Sequence, residues 1–479
     1  MSGKLKLAAM AVAFGGVISC NAWGIEFPYM LQDPLLTRPH VLDLGATLPG
    51  DGASLACATQ NPENQTFKDP LALPTAVDMA LCHNPQVKAA WAVIKVQAGA
   101  LGEARAAYMP TLNATVSKLH NDTRYTDGTF PDTSNSGKTK YANLTWRLFD
   151  FGTRSANLAS ANQLLAGALA SHDAALQKVL TSVVSAYFDA MTAQATLKAK
   201  TQGVELATGT WQATQRREAR GVAAVSDTLQ AAAALAKAQL AFSRAQGDAQ
   251  KTRSVLLYAM GVPTSTPLLL PNEHAAVQEV RVQDVAQWIN DAQRKHPAIA
   301  AARAQLAASK AKVQAAQAEG LPSVDYTQNH YQNGYPNQGL SATNTKVNTV
   351  GFTLNVPLFE GFARTYKVRG AQAQSEQSEA QLQDTELQIL MEVVKAHADA
   401  QSSFDNLQAS QQLLSATEAA VQSSQKRYDK GAADILELLA TQSALADAQQ
   451  ERVRCLSDWR SARLRLMSSA GVLGKGGLE

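Results

Sequence analysis

The segment Val347-Asn348-Thr349-Val350-Gly351-Phe352-Thr353-Leu354-Asn355-Val356-Pro357-Leu358 alternates apolar residues with small or polar ones. Successive side chains of an extended chain point to opposite sides. Val350, Phe352, Leu354, Val356 and Leu358 therefore share one face, and Gly351, Thr353 and Asn355 share the other. Tyr141 to Phe149 repeats the pattern, with Leu144, Trp146 and Leu148 opposed to Asn143, Thr145 and Arg147. Apolar-out, polar-in alternation over ~9–11 residues is the signature of a strand in an outer-membrane barrel. Weaker partners, Thr111 to Asn121 and Ser323 to Tyr331, precede these two strands. Polar loops, Asp122 to Lys140 and Gln332 to Lys346, join each pair and suit an extracellular surface, with Tyr125, Tyr331 and Tyr335 near interfacial depth. The bland alternative is two ordinary solvent-exposed hairpins.

The flanking chain is helical. No proline lies between Pro131 and Pro263 or after Pro357, and both stretches are rich in Ala, Gln, Leu, Lys and Glu. A helix from Thr153 to Arg220 would be roughly 100 Å long, at ~1.5 Å per residue. Its apolar stripe is mostly Ala with Leu and Val, which favours closely packed helices in a tube over a thick core. The chain also repeats itself. Asn84-Pro85 corresponds to His296-Pro297 and Met109-Pro110 to Leu321-Pro322, then Leu148-Phe149-Asp150 to Leu358-Phe359-Glu360, Arg217 and Gly221 to Arg427 and Gly431, and Gly261-Val262 to Gly471-Val472. Each half reads helix, strand, polar loop, strand, very long helix, tight turn, long helix.

Composition narrows the function. With 43 Lys plus Arg against 40 Asp plus Glu, the net charge of +3 lacks the basic stripe of a nucleic-acid binder. Four strands per chain cannot close a barrel, since barrels begin at about eight strands and an open edge in lipid leaves backbone groups unpaired. The chain must associate. Two copies give eight strands and three give twelve, and only the larger leaves a usable pore.

Lys4 and Lys6 precede an apolar run from Leu7 to Ile18, which reads as an export signal and is shorter than the ~20 residues of a membrane-spanning helix. Val17-Ile18-Ser19-Cys20 resembles a lipobox that would lipidate Cys20, whereas Cys20-Asn21-Ala22 suits an ordinary signal peptidase, and both readings stay open. Cys57 and Cys82 are expected to pair in an oxidising periplasm, and Cys455 to be a small packed side chain. The expected segments are a signal peptide (1–22), an irregular periplasmic strap (23–70), a first repeat (71–263), a linker (264–282), a second repeat (283–473) and a flexible tail (474–479). The first repeat carries strands near 111–121 and 141–149 and long helices over 153–220 and 226–260. In the second the strands lie near 323–331 and 347–358 and the helices over 362–429 and 434–470.

The ordered, duplicated landmarks, together with Leu148-Phe149-Asp150-Phe151-Gly152, Leu358-Phe359-Glu360-Gly361 and the turns Gly221 to Leu229 and Gly431 to Leu439, resemble the TolC-type outer membrane factor family over about Leu71 to Leu473. The resemblance implies a mixed, mostly α fold. In it a duplicated unit builds a long α-helical barrel continuous with a twelve-stranded transmembrane β-barrel, four strands coming from each chain of a homotrimer. It implies an outer-membrane channel-tunnel in a Gram-negative cell that passively conducts exported substrates. The implied partners are outer-membrane lipid, a periplasmic adaptor (membrane fusion) protein and an inner-membrane pump of ABC or resistance-nodulation-division type. Ala80-Leu81-Cys82-His83-Asn84-Pro85 resembles the secretion-associated branch, which favours type I protein secretion over drug or metal efflux.

The resemblance also makes the two turns the periplasmic entrance, with Asp227 and Tyr428 in the network that holds it closed and Glu437 at the aperture. Ala433 stands where the family has a gating Arg, and Ala440 where it has a second aperture acid. Arg216, Arg217, Lys426 and Arg427 either replace that Arg or only balance helix ends. Ser226, Asp227 and Asp434 also read simply as caps. Val222, Val225, Ile435 and Leu436 are candidate adaptor contacts. No catalytic, metal-binding or phosphate-cradling motif occurs, so neither enzyme activity nor a cofactor is expected. A periplasmic adaptor or a purely structural coiled-coil protein is the alternative, although neither accounts for the duplicated strand pairs.

Overall fold

A computed structural model describes residues 35, 37, 70–128, 130–271, 284–333 and 345–473. The export signal with Cys20, most of the strap with Cys57, part of the linker, the tip of the second polar loop and the C-terminal tail lie outside the described residues.

The first half comprises α1 (Leu73–His83), α2 (Pro85–Ala106), β1 (Thr111–Thr123), β2 (Thr133–Phe149), α3 (Thr153–Ala219) and α4 (Val225–Ala259). The second half repeats the order with α5 (Val285–Lys295), α6 (Pro297–Ala318), β3 (Ser323–Gln332), β4 (Lys346–Asn355), α7 (Ala363–Asp429) and α8 (Ile435–Ser469). Corresponding helices have equal lengths: 11 residues for α1 and α5, 22 for α2 and α6, 67 for α3 and α7, and 35 for α4 and α8.

The cores are duplicated too. In the first half Ala80, Val87, Val179 and Val183 are buried where α1, α2 and α3 meet, and Ala292, Ile299, Ile389 and Val393 fill the same places among α5, α6 and α7. The first cluster is larger because Leu256, Leu257 and Met260 at the end of α4 join it. Cys455 is buried beside Leu407 and Trp459, and burial pushes its thiol pKa up. Cys82 in α1 is disulfide-bonded. The Leu35 carbonyl accepts from Arg105 Nη1 of α2 at 2.6 Å, and Thr37 is buried.

The strands form one antiparallel sheet in the order β1-β2-β3-β4, and among the described residues both outer strands are unpaired on one side. Its register places Asn143 opposite Asn329, Thr145 opposite Thr327 and Arg147 opposite Asp325. One face therefore carries a polar ladder, in which Arg147 Nε lies 2.9 Å from Asp325 Oδ1 and Tyr141 stacks on Tyr331 at 4.9 Å. The other face exposes Leu112, Val116, Trp146, Leu148, Val350, Phe352 and Leu354.

Two strand expectations need correction. The stretch read as a loop, Asp122 to Lys140, is largely paired, and β2 begins at Thr133 rather than near 141, with Thr133 to Lys140 laddered against Val116 to Thr123. Backbone pairing needs no apolar face, so the polar hairpin continues past the apolar band. β4 ends at Asn355, short of Leu358, because Pro357 has no N–H to donate.

The turns from sheet to long helix use two left-handed residues each: Phe151 (φ 50°) with Gly152 (φ 105°), and Gly361 (φ 60°) with Phe362 (φ 66°). In the first, Arg154 Nε lies 3.0 Å from Asp150 Oδ2, and its Nη1 donates to the Arg147 carbonyl at 2.6 Å. The counterpart pair, Arg364 with Glu360, is more exposed and longer at 3.5 Å. Among the described residues no helix is long and apolar enough to cross a membrane, and no group of His, Cys, Asp and Glu is placed to hold a metal ion.

Candidate functional site at the helical tips

The ends of α3 and α7 turn back through matching caps. Gly221 (φ 72°) and Gly431 (φ 73°) take the left-handed conformation that a side chain would strain. Val222 N then donates to the Arg217 carbonyl at 2.9 Å, and Ala432 N to the Arg427 carbonyl at 2.8 Å, satisfying carbonyls left open by the helix end.

Beyond the glycines the turns diverge. Asp434 caps α8 by accepting from Glu437 N at 2.8 Å, whereas Ala224 precedes α4 with no side-chain cap. The capping expected of Ser226 and Asp227 is therefore absent. Both lie inside the first turn of α4, and the Ser226 hydroxyl donates to Asp227 Oδ1 at 3.3 Å.

Glu437 accepts from Arg427 Nη1 at 2.7 Å, and Arg427 Nη2 donates to the Ala432 carbonyl at 3.3 Å, so one guanidinium straps the second turn. Tyr428, only 8% exposed, packs with Ile435 and Leu438 against Ala433 and Leu439. Within the chain Asp227 and Tyr428 do not hydrogen-bond. The Tyr428 ring instead lies under Arg217, whose Cζ is 4.7 Å from the ring centroid and whose Nη1 donates to the Tyr428 carbonyl at 3.3 Å. Further up the rods, Gln442 Nε2 of α8 donates to Thr210 Oγ1 of α3 at 3.4 Å.

Of the four apolar residues expected to face a partner, Val222, Val225 and Leu436 are exposed, but Ile435 is 3% exposed and belongs to the cluster beneath Tyr428. The first residue of α8 faces the opposing helix while its neighbour Leu436 faces out. Leu229, exposed at the same tip, escaped the sequence reading. So did the pairing of Arg217 with Tyr428, for which the offset of 210 residues gives only the in-register partner Asp227.

Comparison with known proteins fixes the family. The model of the outer membrane efflux protein family matches residues 76–262 and 288–472, one match per structural repeat. Protein CyaE of Bordetella pertussis is 35% identical over 411 residues, 86% of each chain. The alkaline protease secretion protein AprF of Pseudomonas aeruginosa is 25% identical over 304 residues, 63% of each chain. Among solved structures, the outer membrane protein VceC of Vibrio cholerae has a TM-score of 0.71 at 22% identity, covering 83% of this chain and 96% of its own. The fold thus has its counterpart in VceC, and the chain belongs to the outer membrane efflux protein family, as an outer-membrane channel whose helices extend into the periplasm of a Gram-negative cell.

Proposed function

We propose that three copies of the chain assemble into a closed twelve-stranded barrel on a helical tunnel. This conduit receives substrate from an inner-membrane pump of ABC or resistance-nodulation-division type through a periplasmic adaptor, and it supplies no energy of its own. The observation that carries the reading is the four-stranded sheet, apolar on one face and open at both edges, continuous with 67-residue helices. Neither edge survives in lipid unpaired, so copies must complete the barrel. Exposed apolar residues on α7, Leu387, Met391 and Val394, are spaced four and three apart and form a stripe suited to a neighbouring helix.

Type I protein secretion is the favoured cargo route, supported by the relationship to a named protease secretion protein. Asp227, Tyr428 and Glu437 form the periplasmic gate, and the exposed Val222, Val225 and Leu436 meet the adaptor. Cys57 is the partner of Cys82 and ties the N-terminal strap to α1. Removing the chain from its cell and comparing culture supernatants tests the cargo: loss of secreted protein with unchanged drug susceptibility is expected. An unchanged set of secreted proteins with raised drug or metal sensitivity would overturn the secretion reading in favour of efflux.

A further inference from the structure

On the apolar face of the sheet, three strands change character as they leave the helices. Along β1 the positions on that face run Leu112, Ala114 and Val116, then Lys118. Along β2 they run Trp146, Leu144 and Ala142, then Lys140 and Lys138, and along β4 Leu354, Phe352 and Val350 give way to Asn348 and Lys346. The register sets Lys118 directly opposite Lys138 and places Lys140 and Lys346 on either side of Gln332. All four lysines are exposed, and none of their side chains has an ion-pair partner among the described residues. The one carboxylate on that face of the four strands, Asp122, lies 3.4 Å from His120 Nε2. At the helix end of the sheet the cations are matched instead, Arg154 with Asp150, Arg364 with Glu360 and Lys367 with Glu319.

Like charges directly opposite one another on a sheet repel, so the Lys118–Lys138 pair costs stability unless an anion lies between them. Lysines that only blunt an exposed edge would sit on outer strands, but Lys138 and Lys140 belong to β2, which is paired on both sides. From Leu354 to Lys346, β4 rises roughly 20 Å at ~3.4 Å per residue and ~40° of tilt, close to the ~25 Å apolar band of an outer-membrane barrel. The helices at the other end of the sheet extend into the periplasm, so the lysines stand at the headgroup level of the outer leaflet.

Resting on the reading of the apolar face as the outside of a closed barrel, we propose that Lys118, Lys138, Lys140 and Lys346 form a site for phosphate-bearing lipid headgroups of the outer leaflet, with one phosphate held between Lys118 and Lys138. Lysine ammonium groups suit this task as compact charges for phosphate oxygens. Closing the barrel sets β4 of one copy against β1 of the next, so the lysines of all copies join in one basic girdle.

Native mass spectrometry of the detergent-purified full chain tests this, with titration by diphosphorylated lipid A, by the same lipid without its phosphates and by inorganic phosphate. The wild type should bind the diphosphorylated lipid far more tightly than the other two. Lys118→Gln with Lys138→Gln should weaken that binding about twenty-fold, at roughly five-fold per ammonium group near an anionic headgroup. Lys118→Arg with Lys138→Arg should keep it, and Lys237→Gln with Lys251→Gln, which removes two exposed charges from α4, should leave it unchanged. Wild-type affinity in the first variant, equal affinity for the lipid without phosphates, or as large a loss in the α4 variant would each overturn the site. Displacement of the lipid by millimolar inorganic phosphate would make this a site for a soluble anion and overturn it as well. The same spectra read the oligomer mass. A monomeric wild type would sink the barrel reading beneath, whereas a trimer without phosphate-dependent lipid adducts overturns the headgroup site alone.

Discussion

His296 and Asn84 hold the same place in the two repeats, each at the start of a 22-residue helix, yet they cap by different chemistry. Asn84 accepts from Gln86 N at 2.8 Å, and its amide donates to the Ala259 carbonyl at the end of α4 at 3.1 Å. His296 accepts from Ala298 N through Nδ1 at 3.2 Å, which requires a neutral ring. Burial holds its pKa below the ordinary 6.5, in a polar cavity it shares with Lys178, Glu392, Lys395, Asp399 and Arg465. The native state therefore binds fewer protons than the unfolded one between the two pKa values. This stabilisation is complete above about pH 6.5 and is lost as pH falls through the lowered folded value. The stability of the wild type should fall as the pH is lowered from about 7.5 to 5, and His296→Asn, borrowing the cap of the first repeat, should flatten that fall in thermal melts. An equal drop in both proteins would remove His296 from the account.

At the scale of elements, the glycines that end the rods separate into two kinds. Gly221 and Gly431 have open space around them, so replacement by Ala meets only the left-handed backbone and should cost about 1 kcal/mol. At Gly261 and Gly471, also at φ 72°, an added Cβ would lie 2.9 Å from the His83 carbonyl carbon and 2.8 Å from His296 Cα. Gly261→Ala and Gly471→Ala should therefore cost about 2–4 kcal/mol, strain and backbone overlap together, in denaturant melts. Equal losses at all four positions would mean that the junction packing contributes nothing. The long helices were legible because uninterrupted helix formers run between prolines and each rod stops at a glycine. The strands were legible only where alternation marks a lipid boundary, so the polar extension of β2 from Thr133 passed for loop. At the tips, sequence gives the residues but not their partners. Arg217 has an acid ten residues on, as Arg427 has, and only tertiary packing sends it to Tyr428. Likewise nothing local tells that Ile435 turns inward and Leu436 outward.

For the whole molecule, a single chain leaves much of its rod uncovered. The 67-residue α7 buries nine residues against nineteen for the equally long α3. Met391 is 67% exposed and Leu387 68%. Leu387→Gln with Met391→Gln should leave helicity unchanged but weaken assembly about a hundred-fold, as sedimentation of detergent-solubilised protein reads, because two large apolar side chains lose their burial. Assembly as tight as wild type would place the subunit contact elsewhere. The central claim is that copies of this chain close a barrel and conduct through it. Planar-bilayer recording on detergent-purified protein of known mass tests it most directly: a trimer giving discrete, mostly closed channels is predicted, and a monomer or fibre without conductance would contradict it.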